Sequence, residues 1–417
     1  MPRDDLPPSS SPSLPRGLLA DRAFRRAWAG GALAQTMRWL EMLVVSVFVF
    51  RLTGSPLQVA LVLFLRMLPS FLFGVFTGVI AERFNRKWLV AAGLAFLSLV
   101  SAGLGLLVAT DRIAVWHVAA GVFLNGLFWS MDHPVRRTLL GDLAGPDAIG
   151  RAMGLDSSTA SATRAMGPLL GGVLLDMVGM AGAYFLGTLL FGAAALLIAT
   201  VPYDPPPMAA RGTALLANIR EGLRHVRGNR TILGTLMVTL FLNFWGFAYL
   251  GMVPVIGKEE LGLGAAAVGL LMSAEGMGAF AAALVIAWRV RPQHYTRLYF
   301  WGSALFLAAV LTFANVGGFA PALAALLVAG LGFAGFAAMQ STIILAATPP
   351  PLRSRAMGVV SVCIGAGGPL GILHVGLLAD WLGAPGAVTV SAVEGLAALA
   401  LAAWLWPELL RPFAPRA

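Results

Sequence analysis

A single cysteine in 417 residues, Cys363, leaves no partner for an intramolecular disulfide. Charge is scarce too. Asp, Glu, Lys and Arg make up 12% of the chain, against about 25% in a soluble domain. No nucleotide-binding loop, metal cluster, nucleophile–base constellation or soluble catalytic domain can be found, so an enzyme is not expected, nor a cofactor or metal. The first 26 residues are rich in proline and arginine and lack an apolar core, so no cleavable signal peptide is expected. What remains is apolar: 58% of the residues are hydrophobic and the mean hydropathy is +0.82. Such a chain has too little polar surface for water and reads as an integral membrane protein.

A crossing helix needs about 20 mostly apolar residues. Twelve runs qualify: roughly 25–51, 57–80, 88–109, 113–134, 152–178, 181–201, 231–253, 265–288, 297–316, 320–347, 356–381 and 385–406. They are too long and too continuously apolar for barrel strands. The expected fold is therefore all-α, with two pseudo-symmetric six-helix halves at 25–201 and 231–406. The tails are 1–24 and 407–417, and a linker with an amphipathic helix, 202–230, joins the halves. With both termini cytoplasmic, 23 of the 29 Lys and Arg residues fall on inner loops and tails, the positive-inside pattern. The net charge of +10 then serves contact with anionic membrane lipid, and nucleic acid is not an expected partner.

The tetrapeptide RAMG occurs at 151, 164 and 355. A shift of 204 residues lays Arg151–Gly179 on Arg355–Gly383 without a gap, and 12 of 29 positions agree. The matches include Gly167/Gly371, Gly172/Gly376, Asp176/Asp380 and Gly179/Gly383. Spans five and eleven thus read as equivalent members of a duplicated half, as in parallel repeats about an axis along the membrane normal.

The loop after span two, "GVIAERFNRK", carries Gly78, Glu82, Arg83, Arg86 and Lys87. It resembles the signature loop of the major facilitator superfamily, with Asn85 in place of a usual glycine. In span five, Gly154, Gly167, Pro168, Gly171 and Gly172 resemble the antiporter motif of proton-coupled drug exporters, with Thr163 in place of a glycine. Longer runs, such as "TGSPLQVAL" and "REGLRHVRGNR", are similar to the drug-exporter branch that includes siderophore and macrolide exporters. The resemblance implies alternating access around a cavity lined by spans one, four, seven and ten, with the motif residues and Asp132 gating it. It also implies that spans five and eight meet at the seam. That branch's proton-linked arginine in span four has no counterpart here. Gly167 and Gly171, four apart, are expected to present a flat strip to the second half.

Charges inside spans are functional candidates by default, because each costs about 2.5–3.5 kcal/mol to insert. They are Arg38, Glu41, Arg66, Asp156, Arg164, Glu275 and Glu394. Arg38 and Glu41 share one sector of span one with Gln35 and Met42. A desolvated carboxylate can take a proton there and release it when Arg38 approaches, or the two can form a structural salt bridge. Arg164 and Glu275 form the second candidate pair for proton coupling. Glu394 reads as a supporting group and His374 as a packed histidine. Cavity candidates are Gln35, Trp39, Asn125, Trp129, Asn243, Trp245, Tyr249 and Gln340. The expectation is a monomeric secondary exporter of an amphipathic organic solute in the cytoplasmic membrane, driven by the proton gradient. The alternatives are an uptake or facilitated carrier, and a transporter-derived sensor or assembly factor without flux.

Overall fold

Helix starts and stops are written in the local sequence. Asp21 accepts hydrogen bonds from the Ala23 and Phe24 amides at the start of α2, which ends at Gly54 in the left-handed region, φ 63°. Asn85, the departure from the signature loop, accepts from the Lys87 amide at 3.0 Å and caps α4. The computed structural model describes residues 16–83, 85–145, 148–203, 224, 226–349 and 352–413. Within them run α1 (Arg16–Ala20), α2 (Arg22–Thr53), α3 (Pro56–Arg83), α4 (Arg86–Ala109), α5 (Val115–Ala144) and α6 (Ile149–Ala199). The remainder are α7 (Arg230–Phe241), α8 (Val253–Glu259), α9 (Ala265–Arg289), α10 (Tyr295–Asn315), α11 (Phe319–Ala347) and α12 (Arg353–Leu405). No strand occurs among the described residues. Most of the expected linker helix lies outside them, as do the side chains of Gly78, Glu82 and Arg83.

Among the described residues, eight helices are long and apolar enough to cross a membrane. Two of them are far too long for one crossing: α6 has 51 residues and α12 has 53. Each breaks at one glycine, Gly179 with φ 67° and Gly383 with φ 71°. Both ends of α6 lie together. Tyr203, just past its end, donates to Asp142, just before its start, at 2.6 Å. The halves of α6 are therefore antiparallel, and α12 repeats the design 204 residues later. Helices α3 and α5 (28 and 30 residues) are also long enough at about 1.5 Å per residue, which leaves room for twelve crossings. The crossing from Arg230 to Glu259 is irregular at its middle. A π turn at Leu242–Gly246 and a 3-10 turn at Phe247–Gly251 separate α7 from α8, a local geometry frequent at functional sites.

The duplication shows in packing as well as in sequence. A Cβ on Gly167 would run into Trp39 of α2, and one on its equivalent Gly371 would run into the Phe244 backbone. Gly172 and Gly376 instead face the opposite half, against the Ala265 backbone and Ala60 respectively. The Asp176 carboxylate accepts from the Ala266 amide at 2.8 Å beside that contact. The expected strip therefore changes. A Cβ on Gly171 would lie 3.0 Å from the Leu40 carbonyl oxygen on α2, so Gly167 and Gly171 pack on their own half and Gly172 forms the seam. The reason is helical phase: one residue turns the contact by about 100°.

Arg26 donates to the Thr200 carbonyl, and Arg230 to the Leu405 carbonyl, so the starts and ends of both halves share one end of the molecule. Contacts between halves concentrate at the opposite end. Toward the shared end, Ser157, Ser158 and Ser161 of α6 are exposed. A Cβ on Gly154 or its equivalent Gly358 would meet nothing within 4 Å. Among the described residues, the seam is closed at the far end by the Gly172 and Gly376 contacts and is exposed at these terminal-end positions.

Candidate functional site

Among the described residues, three charged systems occupy the interior. The first lies within the first half. Arg38 of α2 donates to Asp132 of α5 at 2.8 Å, with both side chains at most 6% exposed. Its guanidinium also lies 4.3 Å over the Trp129 ring. Arg136 bridges Asp132 at 3.8 Å and Asp156 of α6 at 2.5 Å. Arg137 holds the other Asp156 oxygen at 2.9 Å. Glu41 accepts from the Asn125 side-chain amide and lies 3.9 Å from Arg66. Arg66 in turn donates to the Arg38 carbonyl at 3.0 Å.

This corrects the expected Arg38–Glu41 pair. The two residues share a helix face, but each is drawn to a partner on another helix: Arg38 to Asp132, and Glu41 to Asn125 and Arg66. Ion pairing across packed helices outweighs neighbourhood along one helix because both partners are buried there. Asp132 accordingly sits at the centre of the network, between Arg38 and Arg136. Gln35 adds a buried side-chain nitrogen with no hydrogen-bond partner among the described residues.

The second system bridges the halves. Arg164 of α6 donates to Glu275 of α9 at 2.6 Å. The other Glu275 oxygen accepts from the Tyr249 hydroxyl at 2.9 Å. Helices α6 and α9 pack closely beside the pair, with Ala165 against Gly276, so the expected pair forms. The third system is peripheral. Glu394 accepts from Trp245 Nε1 at 2.9 Å and bonds His374 at 2.8 Å. Helix α12 thereby braces the π turn, and the Ser391 hydroxyl donates to the Trp245 carbonyl at 3.0 Å.

A cavity of about 350 Å³ lies between the halves. Trp39, Arg164, Asn243 and Gln340 line it. Gln35, Asn125, Trp129, Trp245 and Tyr249, also expected there, are not among its lining residues: the first three belong to the charge network of the first half or its rim, Trp245 turns to Glu394 and Tyr249 to Glu275. Gln340 and Asn243 both fold onto Thr239, at 2.9 and 2.8 Å. The sequence reading missed the apolar lining, notably Met42, Met67, Phe247, Phe333 and Phe336. An apolar residue on an apolar span gives no contrast in the sequence.

At the terminal end, Arg86 bonds Asp142 at 2.5 Å and Tyr203 at 3.1 Å. Burial and the Asp142 carboxylate push the Tyr203 hydroxyl's pKa up, so it stays a donor. Lys87 turns to the Trp88 ring at 4.5 Å. Pro168 lies inside α6, and its carbonyl faces Gly269 of α9.

Comparison with known proteins places this geometry. A family profile described as "Transmembrane secretion effector" matches residues 15–408. The MFS-type transporter YfiS of Bacillus subtilis is 24% identical over 357 residues, covering 83% of this chain and 84% of that protein. The staphyloferrin A transporter of Staphylococcus aureus is 24% identical over 287 residues, covering 66% and 69%. A solved bacterial homologue of the human lysosomal transporter Spinster, in an inward-facing and unoccupied conformation, superposes with TM-score 0.69. It is 15% identical, with 94% of this chain and 99% of that chain covered.

Proposed function

The chain belongs to the transmembrane secretion effector family of major facilitator transporters, and from that premise we propose that it exports an amphipathic organic solute by proton antiport. It is a multi-pass membrane transporter and not an enzyme. The observation that carries the export reading is the cavity. It lies between the halves, combines aromatic and thioether walls with few polar groups, and, among the described residues, is closed at the far end. Such a lining suits an amphipathic body of moderate size. The basic residues on inner loops support a cytoplasmic placement of both termini in the cytoplasmic membrane. The open end then faces the cytoplasm, where an exporter loads. A monomer completes the reading, since one chain supplies both halves of the cavity.

Glu41 is the proton carrier in this reading, and the Arg164–Glu275 pair holds the halves together in the present state. Flux decides the matter. Full-length protein in acid-inside proteoliposomes should accumulate at least one of three radiolabelled probes: naphthalenesulfonate, naphthalenesulfonamide or naphthylmethylammonium. Collapsing the gradient should stop it. Absence of protein-dependent flux for all three would remove the carrier reading and favour a sensor built on this scaffold.

Arg86 gates the terminal end. Its ion pair with Asp142 is partly exposed, so it contributes only about 0–1 kcal/mol to stability. Arg86→Ala should therefore insert and fold normally yet transport severalfold more slowly. Unchanged flux in that variant would take Arg86 out of the gate.

A further inference from the structure

Among the described residues lining the cavity, one carries a formal charge, and it is a cation: Arg164. The guanidinium stands between a ring from each half. It lies 4.2 Å over Phe333 of α11 and 5.5 Å over Trp39 of α2. Arginine has five N–H donors. Among the described residues one of its nitrogens, Nη2, is engaged, by Glu275 Oε1. Glu275 is 2% exposed on its side chain and Arg164 is 22% exposed. The carboxylate is thus shielded behind the guanidinium, and the cavity meets the cation.

We infer that Arg164 is the recognition site for an anionic group, so that the exported solute is an amphipathic anion carrying a carboxylate or sulfonate beside an aromatic or aliphatic body. This deepens the carrier reading above and rests on it. The planar guanidinium offers its unused edge to a planar or tetrahedral oxyanion, with charge-assisted hydrogen bonds that a neutral group cannot match. Phe333 and Trp39 flank the guanidinium and present stacking surface next to the anion. Met42, Met67, Phe247 and Phe336 take the apolar body. Arg164 retains Glu275 throughout, so anion binding needs no proton. Because the flanking rings belong to opposite halves, an anion seated there touches both, and loading reports directly on the seam.

The test uses purified full-length protein and the three naphthalene probes: the sulfonate anion, its neutral sulfonamide isostere and the ammonium cation. Calorimetric titration should rank sulfonate tightest, by about tenfold over the sulfonamide, as one charge-assisted pair implies. Arg164→Gln should bring sulfonate and sulfonamide to equal affinity, and Arg164→Lys should restore part of the preference. Glu275→Gln separates recognition from mere structure. It removes the opposing charge, so it should raise the preference for sulfonate over sulfonamide severalfold, whereas a purely structural role would shift both affinities by the same factor. Tightest binding of the cation, equal affinity for all three, or an unchanged sulfonate-to-sulfonamide preference in Glu275→Gln would each overturn the inference while leaving a carrier of another solute class in place. No saturable binding of any probe, together with no flux of any, would overturn the inference and the carrier reading at once.

Discussion

Glu41→Gln should reduce pH-gradient-driven accumulation to the level of protein-free vesicles while leaving solute binding measurable. Glu41 is 6% exposed and is held by the Asn125 amide and by Arg66. Glutamine keeps the shape and still accepts from Asn125, so packing survives. What disappears is a group that can carry a proton. A buried carboxylate with a cation 3.9 Å away is suited to two states, because a nearby cation favours the charged form of an acid and burial without one favours the neutral form. Arg66 loses its counter-ion in the variant but keeps the Arg38 carbonyl, so a lower melting temperature is expected alongside a folded protein. The measurement is uptake in acid-inside proteoliposomes with and without an uncoupler, beside a binding titration. If Glu41→Gln concentrates solute at the normal rate, coupling passes to another buried acid, and Glu275 is next.

Gly172→Leu should abolish transport by a different route. A Cβ at this position would fall on the Ala265 backbone. A backbone cannot move aside as a side chain rotates, so α6 and α9 must separate. Small residues at helix seams exist for such close approach. Separation also strips Asp176 of its bond to the Ala266 amide. The far end could then no longer close, and the protein would be held in the opposite conformation. Accessibility labelling at the far end should rise while membrane insertion stays normal. Gly171→Leu is the informative comparison, because that residue packs on Leu40 of its own half. It should damage folding of the first half rather than the balance between states. Far-end labelling unchanged in Gly172→Leu would mean that the seam adapts and closure does not depend on this glycine.

These two residues also mark how far the sequence can be read. The halves were legible because duplication left Gly172/Gly376 and Gly179/Gly383 in register, and both pairs do the same job in each copy. The Arg164–Glu275 pair was legible because opposite charges stand near the middle of two spans expected at the seam, and Glu275 is the one charged residue of 265–288. The partners of Arg38 and Glu41 were not. Asp132 and Asn125 lie 94 and 84 residues away, and spacing along α2 carries no information about which helix packs over it. The cavity was half legible for a related reason. Polar Asn243 and Gln340 stand out on apolar spans, whereas Phe333 and Phe336 do not. Polar residues turned elsewhere, as Trp245 is by Glu394, cannot be told from cavity residues without the packing.

The one-residue turns at Gly179 and Gly383 bear on how the chain enters the bilayer. A connection that short leaves no loop to wait outside, so the two crossings of α6 must arrive together as a hairpin, and those of α12 likewise. The first crossing of α6 carries Arg164, a charge that costs about 2.5–3.5 kcal/mol when a helix inserts alone. The second crossing, 181–201, has no charged residue at all, so joint entry lets the apolar arm carry the charged one before Glu275 has been synthesised. Positive φ at the turn favours glycine, and a bulkier residue at 179 would be felt first during biogenesis, as fewer inserted molecules. An epitope tag or protease site placed at the Gly179 turn would split the α6 hairpin, leaving the charged crossing to insert unaided.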